Sequence, residues 1–323
     1  MRMDPNRKMS ARLTGIRRRD SPMSPEQEKE RGRSMSKVAI VTDSSCITVK
    51  EAEKLGIFVL PMPFSIDNVD YLEGVDLSLE LFYEKLASDA DIFTSQPAAG
   101  AVMDLWDQVL EEYDELVHIP LSSGLSGSYQ NACIYAQDYD GRVEVADTWR
   151  VSVPQRAALE DAAVLRDRGF SAKRIKEVLE GEQEHSMVFI AVDNLDRLKK
   201  GGRVTPMAAA IGNILKIRPV LKLQGEKLDA FAKVRSVGKA KQTIIRALET
   251  TMRNMDVHTP SQVRVQAACT YGFEGRDQWI QELSEAFPEF EIEYADLPMN
   301  LSCHVGLGGI GAAVTMRIDY DAC

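Results

Sequence analysis

The sequence predicts an α/β protein of two domains, the first on a parallel sheet covered by helices in a Rossmann-like way, the second on a mixed sheet with helices. Three observations carry this expectation. Short apolar runs ending in polar turns alternate with amphipathic helical stretches through the first half. The second half opens with two helices and then becomes richer in strands. A length of 323 residues, 44% of them hydrophobic, is enough for two domains with a sizeable core.

In order along the chain, residues 1–36 are charged and nearly free of large apolar side chains, which predicts a disordered N-terminal extension. It has no apolar core of a secretory signal and reads as dispensable for the fold, ahead of an alternative start at Met35. The first domain is expected over 37–152. "VAIVTD" (38–43) is a buried strand and "TVKEAEKLG" (48–56) a helix closed by Gly56. "IFVLPMPFSI" (57–66) reads as one strand-like run, followed by helices over 77–88 and 99–113, a strand "ELVHIPL" (115–121) and a strand "RVEVAD" (142–147). The second domain is expected over 153–323. It begins with helices over 154–169 and 171–181. Strands follow at 186–192, two more over 217–234 joined at Gly225-Glu226, a helix over 239–255, and strands at 264–271, 290–297 and 312–319.

Composition narrows the function. Thirty-nine Lys and Arg against 49 Asp and Glu give a net charge of −10, which argues against a general nucleic-acid or anionic-membrane binder. Five scattered cysteines, with no C-x-x-C pair, read as reduced cytoplasmic thiols and not as a disulfide frame or zinc site. No apolar run reaches the roughly 18–20 residues of a membrane span, so no stable membrane insertion is expected.

Five loops stand out: "TDSS" (42–45), "TSQPAAG" (94–100), "LSSGLSGSYQ" (121–130), "LKKGGRVT" (198–205) and "HVGLGGIG" (304–311). Asp43-Ser44-Ser45, the stretch Ser122 to Ser128 and Asp147-Thr148 fall beyond the ends of expected strands, where ligands of open α/β sheets bind. A strand that runs through a Ser/Gly-rich turn into a helix offers backbone N–H groups and hydroxyls to one anion. The loop over 121–130 lacks the Gly-Lys-Ser/Thr ending of a P-loop and the spaced glycines of a dinucleotide site. Lys199, Lys200 and Arg203 surround a Gly-Gly turn and can meet a phosphate, although a basic turn is more often solvated surface. "TDSS" has Ser45 where an aspartyl-phosphate phosphatase needs a second carboxylate, and Ser126 or Ser128 with His304 lacks a nucleophile elbow. The loops are rich in hydroxyls and poor in acid–base pairs, so the pattern favours binding over catalysis. An enzyme, a hydrolase or a phosphoryl-transfer catalyst, acting on a small anionic metabolite in the interdomain cleft is the alternative. A signalling or scaffold protein is a third reading.

Taken together, "IVTDSS", "FTSQPAAG", "PLSSGLSGSYQNA", "LDRLKKGGRV" and the His-Val-Gly-Leu-Gly turn resemble the DegV family of fatty-acid-binding proteins, over about residues 37–319. The resemblance implies that two α/β domains hold one long-chain fatty acid in the cleft between them, with no metal, no other cofactor and no catalytic residues. Some members, called FakB, present the acyl carboxylate to a separate fatty acid kinase that forms an acyl phosphate in phospholipid metabolism. The resemblance also implies the site: Ser95, Ser128 and His304 hold the carboxylate, Thr94, Gly127 and Gly306 shape the supporting turns, and Arg203 faces the kinase or phosphate. A cytoplasmic location goes with it. Three positions depart from the family pattern: Pro154 and Arg156 stand where glycines are common, and Leu307 stands where proline is usual. These leave pocket shape and chain preference open.

Overall fold

A computed structural model describes residues 36–88, 90–193, 195–211 and 217–323. The expected N-terminal extension, Ser36 apart, lies outside the described residues. The first half runs β1 (Val38–Asp43), α1 (Val49–Leu55), β2 (Ile57–Leu60), β3 (Pro63–Ile66), β4 (Val69–Leu72), α2 (Leu79–Ala87), β5 (Ile92–Thr94), α3 (Ala99–Leu110), β6 (Glu115–Ile119), α4 (Ser128–Tyr135), β7 (Val143–Val145), α5 (Ser152–Asp167) and α6 (Ala172–Gly181). Then come β8 (Ser186–Ala191), α7 (Asp196–Gly201), α8 (Pro206–Ile211), β9 (Arg218–Leu223), β10 (Asp229–Val234), α9 (Val237–Asn254), β11 (Val263–Thr270), α10 (Arg276–Ala286), β12 (Ile292–Leu297), α11 (Met299–Val305) and β13 (Ile310–Met316).

Strand β1 is buried at all six positions because it has parallel neighbours on both edges, in the order β2-β1-β6-β7. Its alternate residues serve two cores. Val38 and Ile40 face α5 and α6 through Ala158, Leu159, Ala162, Leu165 and Ile175. Ala39 and Val41 face α3 and α4 through Val102, Trp106, Val109 and Ala132. Helix α1 is delimited by its own sequence: Thr48 and Glu51 form a capping box at one end and Gly56 takes a left-handed conformation (φ 62°) at the other.

The apolar run over 57–66 is two strands in two sheets. Pro61 and Met62 interrupt it, so β2 joins β1 while β3 becomes the centre of a small antiparallel sheet, β4-β3-β5. Asp67 and Asn68, both at positive φ, turn β3 into β4. The second domain is expected to open at residue 153. In the fold, α5 lies against both large sheets, touching β1 on one side and β11 and β12 on the other, and α6 covers β6 and β7. The chain thus returns to the first sheet for two helices before it builds the second.

The second sheet is mixed, in the order β10-β9-β8-β13-β11-β12, with only β11 and β12 parallel among these pairs. One face is a packed core: Phe189, Ala191, Val220, Val265, Ala267, Ala312 and Val314 meet Ile244, Leu248, Trp279 and Leu283 of α9 and α10. The other face carries Val188, Ile190, Leu221, Leu223, Gln266, Ala268, Gly311 and Ala313, as the pairings Ala268↔Gly311, Gln266↔Ala313 and Val188↔Ala313 place them side by side. Its centre is made of small residues, which leaves a hollow over that face.

One core group has a measurable cost. His118 on β6 is 2% exposed, sits edge-on to Trp106, and neither ring nitrogen has a hydrogen-bond partner. Burial lowers its pKa to about 3. The unfolded chain, titrating near the ordinary value of about 6.5, therefore binds a proton that the folded chain refuses as pH falls below it, and stability drops in that window. His118→Leu should reduce the loss in unfolding free energy between pH 7 and pH 5 by about 2 kcal/mol, read by urea denaturation at the two pH values. An unchanged pH dependence would show that His118 is not proton-linked to folding.

Candidate functional site

The hollow is a cavity with about 960 Å³ of empty space, its open mouth included, lined from both halves of the fold. Its walls are apolar. The second sheet contributes Val188, Ile190, Leu223, Ala268, Gly311 and Ala313, and the segments around it add Leu121, Leu125, Val151, Leu198, Leu228, Leu297 and Leu301. Beyond Val188 and Ala313 the same face becomes polar. Gln266 donates to Glu293 (2.9 Å), Thr315 donates to Gln266 (2.9 Å), and Thr315 and Ser186 share a hydrogen bond (2.9 Å). That band ends the apolar wall.

Polar side chains gather elsewhere on the lining: Thr94, Ser95, Gln96, Ser126, Arg203, Asn300 and His304. Thr94 ends β5, and Ser95 is held by its N–H donating to Pro63 of β3 (3.1 Å), so the small sheet that the sequence reading missed positions this loop. His304 is in the last turn of α11, not in a loop. Its Nε2 lies 3.0 Å from Thr94 Oγ1, and burial, with the charges of Arg203 and Arg197 added, lowers its pKa to about 4. The ring is thus neutral at neutral pH, a hydrogen-bonding group without charge. Its approach depends on Gly201, where an added Cβ would come 2.8 Å from His304 Nδ1. Gly306, at φ 83°, ends α11 in a conformation that side chains rarely adopt.

Arg203 donates from Nε to the Leu125 carbonyl (3.2 Å) and from Nη1 to the Gly201 carbonyl, which ties its guanidinium to the Ser/Gly loop. It lines a second recess as well, together with Thr94 and His304, and that recess also presents Phe93, Arg197 and Lys200. Ser128 is placed differently from its neighbours. It begins α4 and lines a small space with Gln96 and His118, while Ser126 reaches the main cavity. The two hydroxyls are 2.8 Å apart, and Ser126 Oγ accepts the Ser128 N–H (3.2 Å). Gly127, the N-cap of α4, sits close under Gln96.

Gln96 and Asn300 carry no expected role and Ser126 none as a carboxylate ligand, although Gln96 and Ser126 stand inside the loops quoted above. Asn300 has no local signal, because its role follows from α11, a seven-residue helix not evident from periodicity. "TDSS" acts as a clasp away from the cavity wall. Asp43 is 1% exposed and accepts from the Ser45 N–H (3.0 Å), the Ser45 hydroxyl and the Leu121 N–H (2.7 Å). Ser44 donates to Glu73 (2.6 Å), which also accepts the Met299 N–H (3.0 Å) at the start of α11. Burial raises the Glu73 pKa to about 7.

The departures also find places. Pro154 lines the cavity, Arg156 turns away to pair with Glu51 (2.8 Å) and Glu160 (3.5 Å), and Leu307 is exposed. Ser152, at φ 56°, lines the cavity with a buried hydroxyl that has no protein partner. Among the described residues no cluster of three or more His, Cys, Asp or Glu could hold a metal ion, and no helix is long and apolar enough to cross a membrane.

Comparison with known proteins finds relatives of the same family and fold. A DegV domain-containing protein of Listeria innocua is 32% identical over 291 residues, covering 87% of this chain and 99% of that protein. One of Streptococcus pneumoniae is 31% identical over 279 residues, covering 85% of this chain and 97% of its own. Among solved structures, DegV of Bacillus subtilis, described as a fatty acid binding protein, is similar with a TM-score of 0.76 at 27% identity, covering 87% of this chain and all of that one. A DegV family protein from Thermus thermophilus, described by its fatty acid binding, gives a TM-score of 0.78 at 25% identity, with coverage of 87% and 100%. The family model described as uncharacterised protein, DegV family, matches residues 37–317, and this chain belongs to the DegV family.

Proposed function

We propose that the protein binds one long-chain fatty acid, its tail in the cavity and its carboxylate at Thr94, Ser95, Ser126 and His304, with Arg203 beside them where the cavity meets the second recess. The observation that carries this reading is an apolar cavity that has hydroxyls, a neutral imidazole and a guanidinium gathered on one part of its wall. Hydroxyl and ring donors can hold a carboxylate without a metal. Each buried methylene adds roughly 0.8 kcal/mol, on the order of 10 kcal/mol for a long chain before ordering costs. Ser128 supports the head group through Ser126 in this reading.

We further propose that the protein presents the carboxylate to a fatty acid kinase, which transfers the terminal phosphoryl group of a nucleoside triphosphate to a carboxylate oxygen and releases the diphosphate. The second recess supports this: it carries Arg197 and Lys200 and meets the cavity at Thr94, Arg203 and His304. A phosphoryl group added at the carboxylate would have cations beside it.

Mass spectrometry of an organic extract of the denatured protein tests the first reading; recovery of a polar metabolite and no lipid uptake would defeat it. Ser95→Ala and His304→Ala should each weaken fatty acid binding by about 10- to 150-fold, the loss of a hydrogen bond to a charged group at about 1.5–3 kcal/mol. Arg203→Ala should cut acyl phosphate formation with a fatty acid kinase far more than it cuts lipid affinity. Equal losses in both would make Arg203 a plain carboxylate ligand.

A further inference from the structure

Asn300 is a polar group on the cavity wall that a plain fatty acid does not satisfy. It is 3% exposed, and neither its side-chain oxygen nor its side-chain nitrogen has a partner. The start of its helix is fixed, because Glu73 accepts the Met299 N–H and is itself held by Ser44. A buried amide offers two N–H donors and one accepting oxygen, and leaving both kinds unmet disfavours the state that buries them. A carboxylate only accepts, so it can meet Nδ2 and never Oδ1; a methylene meets neither. A hydroxyl both donates and accepts. Asn300 lies four residues before His304, about 6 Å along the helix axis. A hydrogen bond of about 3 Å at each end takes up most of that spacing, so a carboxylate held at His304 leaves the first carbons of its chain beside Asn300.

We propose that the cavity prefers acyl chains bearing a hydroxyl on the second or third carbon, and that Asn300 recognises that hydroxyl. The inference rests on the fatty acid reading above and deepens it by naming the ligand class. The test is titration calorimetry of the delipidated full chain with hexadecanoate, 2-hydroxyhexadecanoate and 3-hydroxyhexadecanoate, repeated with Asn300→Leu and the smaller Asn300→Ala. One of the hydroxy acids should bind the native protein about tenfold more tightly than hexadecanoate, the scale of one satisfied buried pair. Either variant should lose that preference, and Asn300→Leu should bind hexadecanoate more tightly than the native protein does. Binding of hexadecanoate by the native protein with no preference for either hydroxy acid would overturn the role of Asn300 and leave the fatty acid reading standing, whether or not the variants fold. A preference kept by both variants would also overturn it. If none of the three acids binds the native protein, both readings fall together.

Discussion

Asp161→Ala should destabilise the protein by about 3–5 kcal/mol, the usual cost of leaving a buried charge without its partner. Asp161 is fully buried on α5 and faces two arginines, Arg150 Nη1 at 3.9 Å and Arg264 Nη2 at 3.0 Å, and it accepts from the Tyr320 hydroxyl at 2.7 Å. Arg264 keeps Glu160 and Glu293 when Asp161 is removed. Arg150 keeps little: its side chain is 1% exposed, and what remains to it is a long hydrogen bond to the Glu182 carbonyl (3.4 Å). Burial already pulls its guanidinium below the usual arginine range, with Asp161 opposing that shift. Urea unfolding reads the effect, and a loss under about 1 kcal/mol would show that water or another acid compensates Arg150. Replacing the pair together, with Arg150→Met and Asp161→Leu, should recover most of the stability, because neither buried charge is then left alone.

Ala313→Phe should lower fatty acid affinity by about 100-fold or more while leaving the fold intact. Ala313 is paired with Val188 and Gln266 on the cavity face of the second sheet, and its small side chain keeps the hollow open. A ring placed there takes the volume of several methylenes, and four of them at roughly 0.8 kcal/mol each come to about 3 kcal/mol of lost tail burial. Filling empty apolar space typically stabilises a protein by about 0.5–2 kcal/mol, so the ligand-free variant should unfold at equal or higher urea. Displacement of a fluorescent fatty acid measures the affinity. An unchanged dissociation constant would place the acyl chain elsewhere.

Much of this arrangement is legible in the sequence, and the rest is hidden for physical reasons. The alternation of buried runs and helices gives away the parallel sheet, because β1 and β6 are buried on both faces and read as mostly apolar runs without a two-residue alternation. Strand β4 gives no such signal: three of its four residues are exposed and the fourth is only partly buried, since it is an edge strand of a small sheet. The loops "TSQPAAG", "LSSGLSGSYQ" and "KKGGR" each contribute to the cavity wall, yet which serine of the second faces the ligand depends on the turn into α4. Ser126 accepts the Ser128 N–H there and leaves Ser128 one hydrogen bond behind. The hollow itself is written in "QAAC" and "GIGAAV", short side chains that meet only once β11 and β13 pair, a register that periodicity does not reveal.

Helix α5 gives the two sheets a common wall, and this bears on how the chain holds together in time. Ala158, Leu159 and Ala162 close the core of the first sheet, while Arg264 of the second sheet is fastened to Glu160 and Asp161 of the same helix. Neither sheet keeps a finished interior if the other lets go of that helix. Opening of the cavity by parting the halves must therefore break ion pairs and apolar packing at once, whereas movement of the short elements at its edge, α7 and α11, breaks far less. Entry and exit of a ligand should belong to those short elements, and separation of the halves to global unfolding.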